Sequence, residues 1–211
     1  MIKTNVFEKN VLEYDSWFKK YPAVFISEVE ALRDMLPEGN SFGIEVGLGT
    51  GRFSEALGIK EGIEPAAGMR ALAIDRGIEA MEGIAERLPY KDLRFDFVLM
   101  VSSVSYFFNI IQAFREANRV LKPGGRLVIG FIEKDSAIGK FYEEKRADSL
   151  FYHQAIFYST GKLVERLQET GFGNFDFAQT LFHSLDEIKN FEPSKPGYGK
   201  GSFVVIKAIK K

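Results

Sequence analysis

Cysteine is absent from the 211 residues of this chain. Its absence excludes disulfides, thiolate–metal sites and a cysteine nucleophile, and it is consistent with a cytoplasmic protein. A basic excess is also missing, because 28 Lys and Arg stand against 29 Asp and Glu, a formal net charge of -1. Dedicated nucleic-acid binders usually carry a basic excess, so we expect no nucleic-acid partner.

Long apolar runs are scarce as well. The N-terminus shows no apolar core of a signal peptide. The longest uncharged run, residues 98–114, contains several serines with Asn109 and Gln112, and it is short for a membrane span. With 45% hydrophobic and 27% charged residues, the composition is typical of a globular protein, and we expect residues 1–211 to form a single domain.

Short apolar segments alternate with helical patterns in the first part of the chain. The predicted strands there are 42–46, 61–65, 78–83, 95–101 and 126–131. Near-continuous apolar strands separated by helices favour a doubly wound α/β fold, with a mostly parallel sheet and helices on both faces. Two later strands, 175–182 and 202–209, have polar interruptions that are typical of an antiparallel pair at a sheet edge.

Helix boundaries are indicated by caps and turn residues. Residues 5–36 predict two helices, within an N-terminal helical segment 1–40. A further helix is predicted over 159–172, with Ser159 as its N-cap and Gly171 at its end. The Lys-Pro-Gly-Gly turn at 122–125 predicts the end of the helix before the fifth strand.

Three glycines follow the first predicted strand, at Gly47, Gly49 and Gly51, with Leu48 between the first two. An arginine stands where the G-x-G-x-x-G fingerprint of dinucleotide binders needs its third glycine. Glu45 precedes the loop by two residues, so strand alternation places it on the same side as Gly47. Its charge would repel a pyrophosphate and attract an ammonium group, directly or through water.

A second acid, Glu64, ends the next predicted strand and is followed by Pro65. An acid at this place accepts hydrogen bonds from both hydroxyls of a ribose. The loop and the two acids therefore predict a pocket for a ribose and a cation, without a phosphate. S-adenosylmethionine has these groups.

The segment EVGLGTGRF, residues 45–53, resembles the first motif of the class I S-adenosylmethionine-dependent methyltransferases. The resemblance extends over nearly the whole chain, since 83–103, 115–130, 163–172 and 197–211 resemble later elements of that family in order. It points to small-molecule methyltransferases of the ubiquinone and menaquinone type. It implies a Rossmann-like sheet of about seven strands, in the order 3-2-1-4-5-7-6, with the last strand antiparallel.

The residue pattern and the resemblance together indicate the cofactor pocket, with S-adenosylhomocysteine as the product of the reaction and no metal. The predicted cofactor-binding residues are Tyr14, Trp17, Glu45, Gly47, Leu48, Gly49, Gly51, Glu64, Pro65, Ala85, Glu86, Val101 and Ser102. Many family members carry Asp where this chain has Ile84, and there it bonds the adenine amino group. Adenine recognition is therefore expected from backbone groups around Ala85, from Glu86 or from another residue.

Few residues qualify as a catalytic base. The candidates are Tyr106, after the fourth strand, and His153, beyond the fifth strand, whereas His183 is predicted to be structural. The alternative for Tyr106 is core packing, and for His153 a packed or exposed position. A methyltransferase need not have a catalytic base, because the sulfonium already activates the methyl group and the protein can accelerate the transfer by aligning the two reactants.

The segment 132–158 is predicted to be a lid over the acceptor. It pairs aromatic residues around a charged run, and it falls at the carboxyl edge of the sheet, where open parallel sheets bind ligands. The alternative is a helical elaboration whose aromatic side chains cover the sheet.

The class of acceptor is narrowed by exclusion. Val-Ser-Ser-Val at 101–104 replaces the Asn-Pro-Pro-Tyr type of motif found in enzymes that methylate amino groups of nucleic acids. The absence of cysteine argues against a 5-cytosine mechanism. A small-molecule methyl acceptor is therefore predicted, with its reacting atom and the oligomeric state left open. Two alternatives remain: a nicotinamide- or flavin-binding oxidoreductase, and a non-catalytic S-adenosylmethionine-binding protein.

Overall fold

A computed structural model describes residues 5–211, so residues 1–4 of the predicted N-terminal segment lie outside the described part. Three helices precede the sheet: α1 (Asn5–Lys9), α2 (Val11–Lys20) and α3 (Pro22–Arg33). Two helices were predicted there. The additional break lies between α1 and α2 at Asn10, whose φ of -129° and ψ of 37° are not helical. Tyr21 is also non-helical, because the proline that follows disfavours a helical conformation at this residue.

Eight strands form one sheet within residues 5–211. They are β1 (Gly43–Val46), β2 (Glu61–Ile63), β3 (Glu79–Met81), β4 (Phe95–Val101), β5 (Leu121–Ile132), β6 (Phe172–Thr180), β7 (Lys195–Pro196) and β8 (Phe203–Lys210). Their order is β3-β2-β1-β4-β5-β8-β6-β7. Strands β1 to β5 pair in parallel, whereas β8 is antiparallel to both β5 and β6.

The predicted strand order is confirmed, with β8 between β5 and β6. The sheet has one strand more than predicted, because the two-residue β7 pairs with Ala178 and Gln179 at the edge. The Lys-Pro-Gly-Gly turn lies inside β5 rather than before it. There Leu121 pairs with Phe95 and Arg126 pairs with Phe97, so the turn residues between them form a bulge.

Five further helices connect the strands: α4 (Arg52–Leu57), α5 (Ala67–Asp75), α6 (Ile110–Val120), α7 (Ala137–Glu144) and α8 (Thr160–Glu169). The predicted caps of the last helix are present, since the Ser159 side chain accepts a hydrogen bond from the Lys162 amide and Gly171 has a φ of 89°. Among residues 5–211, no helix is both long enough and apolar enough to cross a membrane.

Each face of the sheet has its own apolar cluster. Helices α6 and α8 cover one face with residues such as Phe114 and Leu167, both fully buried. Helices α2, α3, α4 and α7 cover the other face with residues such as Leu32 and Ile138. Two covered faces leave the carboxyl edge of the parallel strands as the place where loops converge, and ligands bind at that edge in this type of fold.

Candidate active site

The glycine loop joins β1 to α4 at the carboxyl edge. Gly47, Gly49 and Gly51 have φ values of 75°, 56° and 79°, in the left-handed region that favours glycine. A Cβ atom on Gly47 would lie 2.6 Å from Cβ of Ser103, and one on Gly49 would lie 3.2 Å from Oη of Tyr14. The loop therefore presents bare backbone at the edge, which is the form of cradle that a ligand held by main-chain groups requires.

Two loop residues have packing roles that the spacing of glycines does not reveal. A Cβ atom on Gly51 would lie 2.6 Å from Cδ1 of Ile78 and 3.0 Å from Cβ of Ala73, so this glycine lets α4 approach α5. Leu48 is buried, and its amide donates to the carbonyl of Ile63 at 3.1 Å. These contacts fix the loop against β2 and α5, and the Gly47 amide contributes by donating to the same Ile63 carbonyl at 2.9 Å.

Glu64 ties the loop to the end of β2. Its Oε2 accepts a hydrogen bond from the Gly49 amide at 3.0 Å, and its Oε1 accepts one from the Ala66 amide at 2.9 Å. Burial raises the pKa of Glu64, while these two hydrogen bonds oppose the rise. Each carboxylate oxygen can accept a second hydrogen bond, so ribose hydroxyls fit beside the backbone donors. Pro65, next in the chain, accepts a hydrogen bond from Arg70 through its carbonyl at 2.8 Å.

Glu45 is the second buried acid at this place. It is 1% exposed, and Ser54 of α4 donates a hydrogen bond to its Oε2. Burial raises the pKa of Glu45 to about 8, the hydrogen bond from Ser54 opposes the rise, and the charge of Glu64 adds to it. A cationic group of a ligand would stabilise the charged forms of both buried acids, and the ammonium group expected from the sequence is such a group.

Helix α2 covers the loop with Tyr14. Its hydroxyl lies beside Gly49, whose amide donates to Glu64. Burial is the main cause that raises the pKa of Tyr14, and the negative charges of Glu64 and Glu45 add to the effect. Trp17, one turn later, has its ring 5.3 Å from those of Phe18 and Tyr21. The contacts of Trp17 thus belong to the packing of the N-terminal helices, whereas Tyr14 lies at the loop.

Asp15 anchors the loop, and the sequence pattern did not single it out. Its carboxylate accepts hydrogen bonds from Oγ1 of Thr50 at 2.8 Å, from Nε of Arg52 at 2.9 Å and from Arg76 at 2.9 Å. Burial alone would raise the pKa of Asp15, but the hydrogen bonds from Arg52 and Thr50 hold it below its usual value. The available signal was an acid on the otherwise apolar face of α2.

The end of β4 forms the neighbouring wall. Val101 is buried, and Ser102 has a φ of 54°, which is uncommon for a residue with a side chain and is often found at functional sites. Ser103 donates a hydrogen bond to the carbonyl of Val46 at 2.8 Å, which fixes this turn against the glycine loop.

Tyr106 follows in the short 3₁₀ helix Ser103–Tyr106. Burial raises its pKa well above the ordinary value, so the side chain stays neutral and donates a hydrogen bond more readily than it accepts a proton. Its hydroxyl lies 3.4 Å from the carbonyl oxygen of Phe151. These contacts favour a positioning role over that of a base.

On the predicted adenine side, Ala85 is buried and Ile84 is half-buried. The Glu86 carboxylate accepts hydrogen bonds from the amides of Phe108 at 2.7 Å and Asn109 at 3.0 Å. Glu86 thereby fastens the start of α6 to the adenine-side loop. This structural role competes with direct adenine binding through the same oxygen.

The segment 132–158 lies at the same edge. Four side chains form an aromatic wall around the loop, namely Phe7, Tyr14, Tyr106 and Phe151. The Phe7 ring lies 4.8 Å from Tyr106, 5.6 Å from Phe151 and 5.8 Å from Tyr14, measured between ring centroids. His153 is exposed, whereas Phe151 is the residue of the segment whose ring contacts Phe7 and Tyr14.

Two clefts of the molecule lie away from the loop. One, of about 280 Å³, lies beside the start of α8 and is lined by Glu133, Thr160 and Tyr198, among others. There Glu133 accepts hydrogen bonds from the amide and hydroxyl of Thr160 and so caps the helix. The other, of about 350 Å³, includes Gly43 and Phe97 at the amino ends of β1 and β4. The glycine loop is instead covered by the N-terminal helices.

Comparisons with known proteins agree with this geometry. A family model described as a methyltransferase domain matches residues 44–129. An uncharacterised protein of Methanocaldococcus jannaschii is 43% identical over 206 residues, which cover 98% of this chain and 99% of that protein. The matched family region contains the glycine loop, Glu45 and Glu64, and the end of β4.

Solved structures extend the likeness to the whole chain. A crystal structure of a S-adenosylmethionine-dependent methyltransferase from Thermotoga maritima, described as a possible histamine N-methyltransferase, is 41% identical, with a TM-score of 0.96 over 99% of this chain and 100% of that chain. A phosphoethanolamine N-methyltransferase of Haemonchus contortus, in complex with phosphomonomethylethanolamine and S-adenosylhomocysteine, shares the fold at 14% identity and a TM-score of 0.62, over 87% of this chain and 52% of that chain. This chain therefore belongs to the S-adenosylmethionine-dependent methyltransferases, and S-adenosylmethionine is its cofactor.

Proposed function

We propose that this methyltransferase acts on a small-molecule acceptor, which binds between the glycine loop and the segment 132–158. The observation that carries this proposal is the aromatic wall of Phe7, Tyr14, Tyr106 and Phe151, which comes together at the loop from three separate parts of the chain. Aromatic side chains suit the apolar body of a small molecule and exclude water from the reaction. An acceptor that is part of a macromolecule would need an open groove at this place.

Within this proposal, each residue of the pocket has a separate task toward the cofactor. Glu64 accepts hydrogen bonds from the ribose, and Glu45 faces the ammonium group, directly or through water. The backbone at Gly47 and Gly49 lies along the methionine part, and the backbone at Ala85 faces adenine. S-adenosylmethionine supplies an activated methyl group, so the tasks of the protein are to bind the two reactants, to orient them and to exclude water.

Two sequence predictions belong to the same proposal. The absence of a nucleic-acid partner rests on the balanced charge, and a cytoplasmic location rests on the absence of cysteine. The similarity to the Thermotoga maritima structure adds amines to the acceptor classes that need testing, because that protein is described as a possible histamine N-methyltransferase.

Calorimetry is expected to show that S-adenosylhomocysteine binds the protein and that NAD binds weakly or not at all. The physical reason is that Glu45 and Glu64 favour a cation and a ribose, while the third glycine of the dinucleotide fingerprint is missing. S-adenosylmethionine should compete with S-adenosylhomocysteine for the site. Tight binding of NAD with no response to S-adenosylhomocysteine would favour the alternative of an oxidoreductase. Binding of S-adenosylmethionine without methyl transfer to any acceptor would favour the alternative of a non-catalytic S-adenosylmethionine-binding protein.

The lid leads to a second prediction, measured by hydrogen exchange. The Ile156 amide donates to the Ser105 carbonyl at 2.9 Å, and we expect S-adenosylhomocysteine to slow exchange at this amide because the lid closes over the ligand. Phe151→Ala should abolish most of the slowing and speed exchange about tenfold, since it removes the ring that contacts Phe7 and Tyr14.

Leu150→Ala is the matched control, because Leu150 is the adjacent residue and is 44% exposed. It should leave the exchange at Ile156 unchanged. An exchange rate at Ile156 that does not respond to S-adenosylhomocysteine would show that the segment is a static part of the surface.

A further inference from the structure

Glu28 places a carboxylate in a core position of α3. Val24 and Leu32, one turn before and after it, are 1% and 0% exposed, and Glu28 itself is 6% exposed. An acid at such a position usually has a cationic or hydrogen-bonding partner. Among residues 5–211, the carboxylate of Glu28 has none, and burial is the one influence that raises its pKa, to about 8.

The carboxylate of Glu28 is not sealed inside the core. Within the described residues, the one completely enclosed side-chain polar atom without a partner is Oη of Tyr90, which lies elsewhere. The oxygens of Glu28 therefore retain contact with a space that solvent can reach. An unpaired acid that borders such a space is suited to receive a ligand.

The position of Glu28 along α3 places it near the carboxyl edge of the sheet. At the end of the helix, Arg33 lines a cleft with Gly43 and Phe97, at the amino ends of β1 and β4. The Leu32 side chain would lie 2.9 Å from a Cβ atom on Gly130, near the carboxyl end of β5. Glu28 lies one turn before Leu32, about 6 Å away along the helix axis.

Three tyrosines from three different elements, Tyr14, Tyr142 and Tyr152, pack in the same apolar cluster as Val24 and Leu32, the residues one turn on either side of Glu28. Burial raises the pKa values of Tyr14, Tyr142 and Tyr152, the last to about 12, and the charge of Glu28 adds to each of these increases. The rings of Tyr142 and Tyr152 stack at 4.3 Å. Tyr21 packs against the same cluster.

Tyr14 connects this group to the cofactor pocket. Its hydroxyl lies at Gly49, and its pKa responds to Glu45 and Glu64 as well as to Glu28. Tyr14 therefore joins the glycine loop to the cluster that contains the residues flanking Glu28. An acceptor held in this cluster would lie next to the cofactor pocket.

We propose that Glu28, together with Tyr14, Tyr142 and Tyr152, binds the amino group of the acceptor, and that the acceptor is a small amine. This inference rests on the function proposed above, because it names the class of acceptor for the same site. A cationic amine would supply the partner that Glu28 lacks, and aromatic faces attract cations. An unpaired buried acid costs stability, and such a cost is typical of a residue kept for function.

Glu28 also has a chemical task in this arrangement. An ammonium ion has no lone pair, so it must lose a proton before its nitrogen can accept a methyl group. The N–H bond breaks, its electron pair stays on nitrogen, and the proton forms an O–H bond with the carboxylate of Glu28. The products of this step are a neutral amine and a neutral carboxylic acid, and a carboxyl group with a raised pKa is suited to hold the proton.

The test is calorimetry on the complex of the full chain with S-adenosylhomocysteine, with histamine, phenethylamine and 2-phenylethanol as probes. At least one amine should bind ten times more tightly than the alcohol, and Glu28→Gln should weaken that amine at least tenfold. Glu30→Gln is the matched control, because Glu30 lies on the same helix with a side chain that is 42% exposed, and it should bind as the wild type does.

The outcomes separate the two proposals. If S-adenosylhomocysteine binds but the amines bind no better than the alcohol, or if Glu28→Gln binds them like the wild type, this inference is wrong and the proposed function stands. If S-adenosylhomocysteine itself does not bind the wild type, the proposed function fails first. Binding of S-adenosylhomocysteine should be the same in the wild type and in both variants.

Thermal unfolding gives a measurement that distinguishes an unpaired acid from a structural one. The pKa of Glu28 is raised in the folded state, so folding favours the protonated form of this carboxyl group. The wild type is therefore most stable, with respect to Glu28, below the pKa of the unfolded state, and this stability is lost as the pH rises toward about 8. Glu28→Gln should therefore fold, and its Tm should exceed that of the wild type by more at pH 8.5 than at pH 5. A lower Tm for Glu28→Gln at pH 8.5 would show that the carboxylate has a structural partner and would overturn the inference.

Discussion

Glu64→Ala is expected to lower the affinity for S-adenosylhomocysteine by about a hundredfold or more. The substitution removes two charge-assisted hydrogen bonds to the ribose, each contributing about 1.5–3 kcal/mol. It also removes the acceptor of the Gly49 amide, so the glycine loop loses one of its attachments to the end of β2. Because about 1.4 kcal/mol corresponds to a tenfold change in affinity, the ribose contacts alone account for the expected loss. Calorimetry at one pH and salt concentration measures it.

Glu82→Ala is the control for this substitution. Glu82 directly follows β3, the strand that pairs with β2, but its side chain is 78% exposed and its ion pair with Arg70 is at the surface. The affinity of the Glu82→Ala variant for S-adenosylhomocysteine should stay within about twofold of that of the wild type, because exposed ion pairs contribute little. A folded Glu64→Ala variant with unchanged affinity would show that the carboxylate of Glu64 does not contact the ribose.

Asp15→Ala is expected to lower the free energy of unfolding by about 3 kcal/mol. The two arginines that Asp15 holds are mostly buried, with side chains that are 21% exposed for Arg52 and 15% for Arg76. Removing one member of a buried ionic network leaves the other charges without compensation, which typically costs about 3–5 kcal/mol. Thr50 of the glycine loop loses its partner in the same step. Chemical denaturation at neutral pH measures the change.

Two further variants test whether the charge of Asp15 is responsible. Asp15→Asn keeps the shape of the side chain and removes its charge. The difference in the free energy of unfolding between this variant and the wild type therefore measures the contribution of the charge. The pKa of Asp15 is lowered in the folded state, so its contribution is present above the unfolded value and is lost as the pH falls through the folded one. This difference should therefore shrink below about pH 4. Glu13→Ala, an exposed position on the same helix, should change stability by less than about 0.5 kcal/mol. A deficit below about 1 kcal/mol for Asp15→Ala would contradict the network.

The local parts of the fold could be predicted from the sequence. The strand predicted over 95–101 coincides with β4, and the cap and the stop of α8 are at Ser159 and Gly171, as predicted. These features depend on periodicity and on glycine or serine chemistry over a few residues, which the sequence displays directly. The strand order came from the family resemblance, because no local pattern states which strands are neighbours.

Several parts of the site could not be predicted because their partners are distant in the chain. Asp15 bonds Thr50, Arg52 and Arg76, which are 35, 37 and 61 residues away. Glu86 was predicted for adenine, yet its oxygen holds two amides at the start of α6. Spacing along the sequence reports which face of an element a residue occupies, but not which element packs against that face.

The family, the cofactor and the pair of acids around the glycine loop could be predicted from the sequence, because a short loop between a strand and a helix fixes its own backbone geometry. The side chains that close the site could be identified only from the packing of distant elements. This packing brings Phe7 and Phe151 together, leaves His153 exposed, and buries Glu28 without a partner beside a cluster that contains three tyrosines. Burial and pairing are properties of elements packed against one another, and a free energy such as that of an unpaired carboxylate exists only once those elements have excluded water around it.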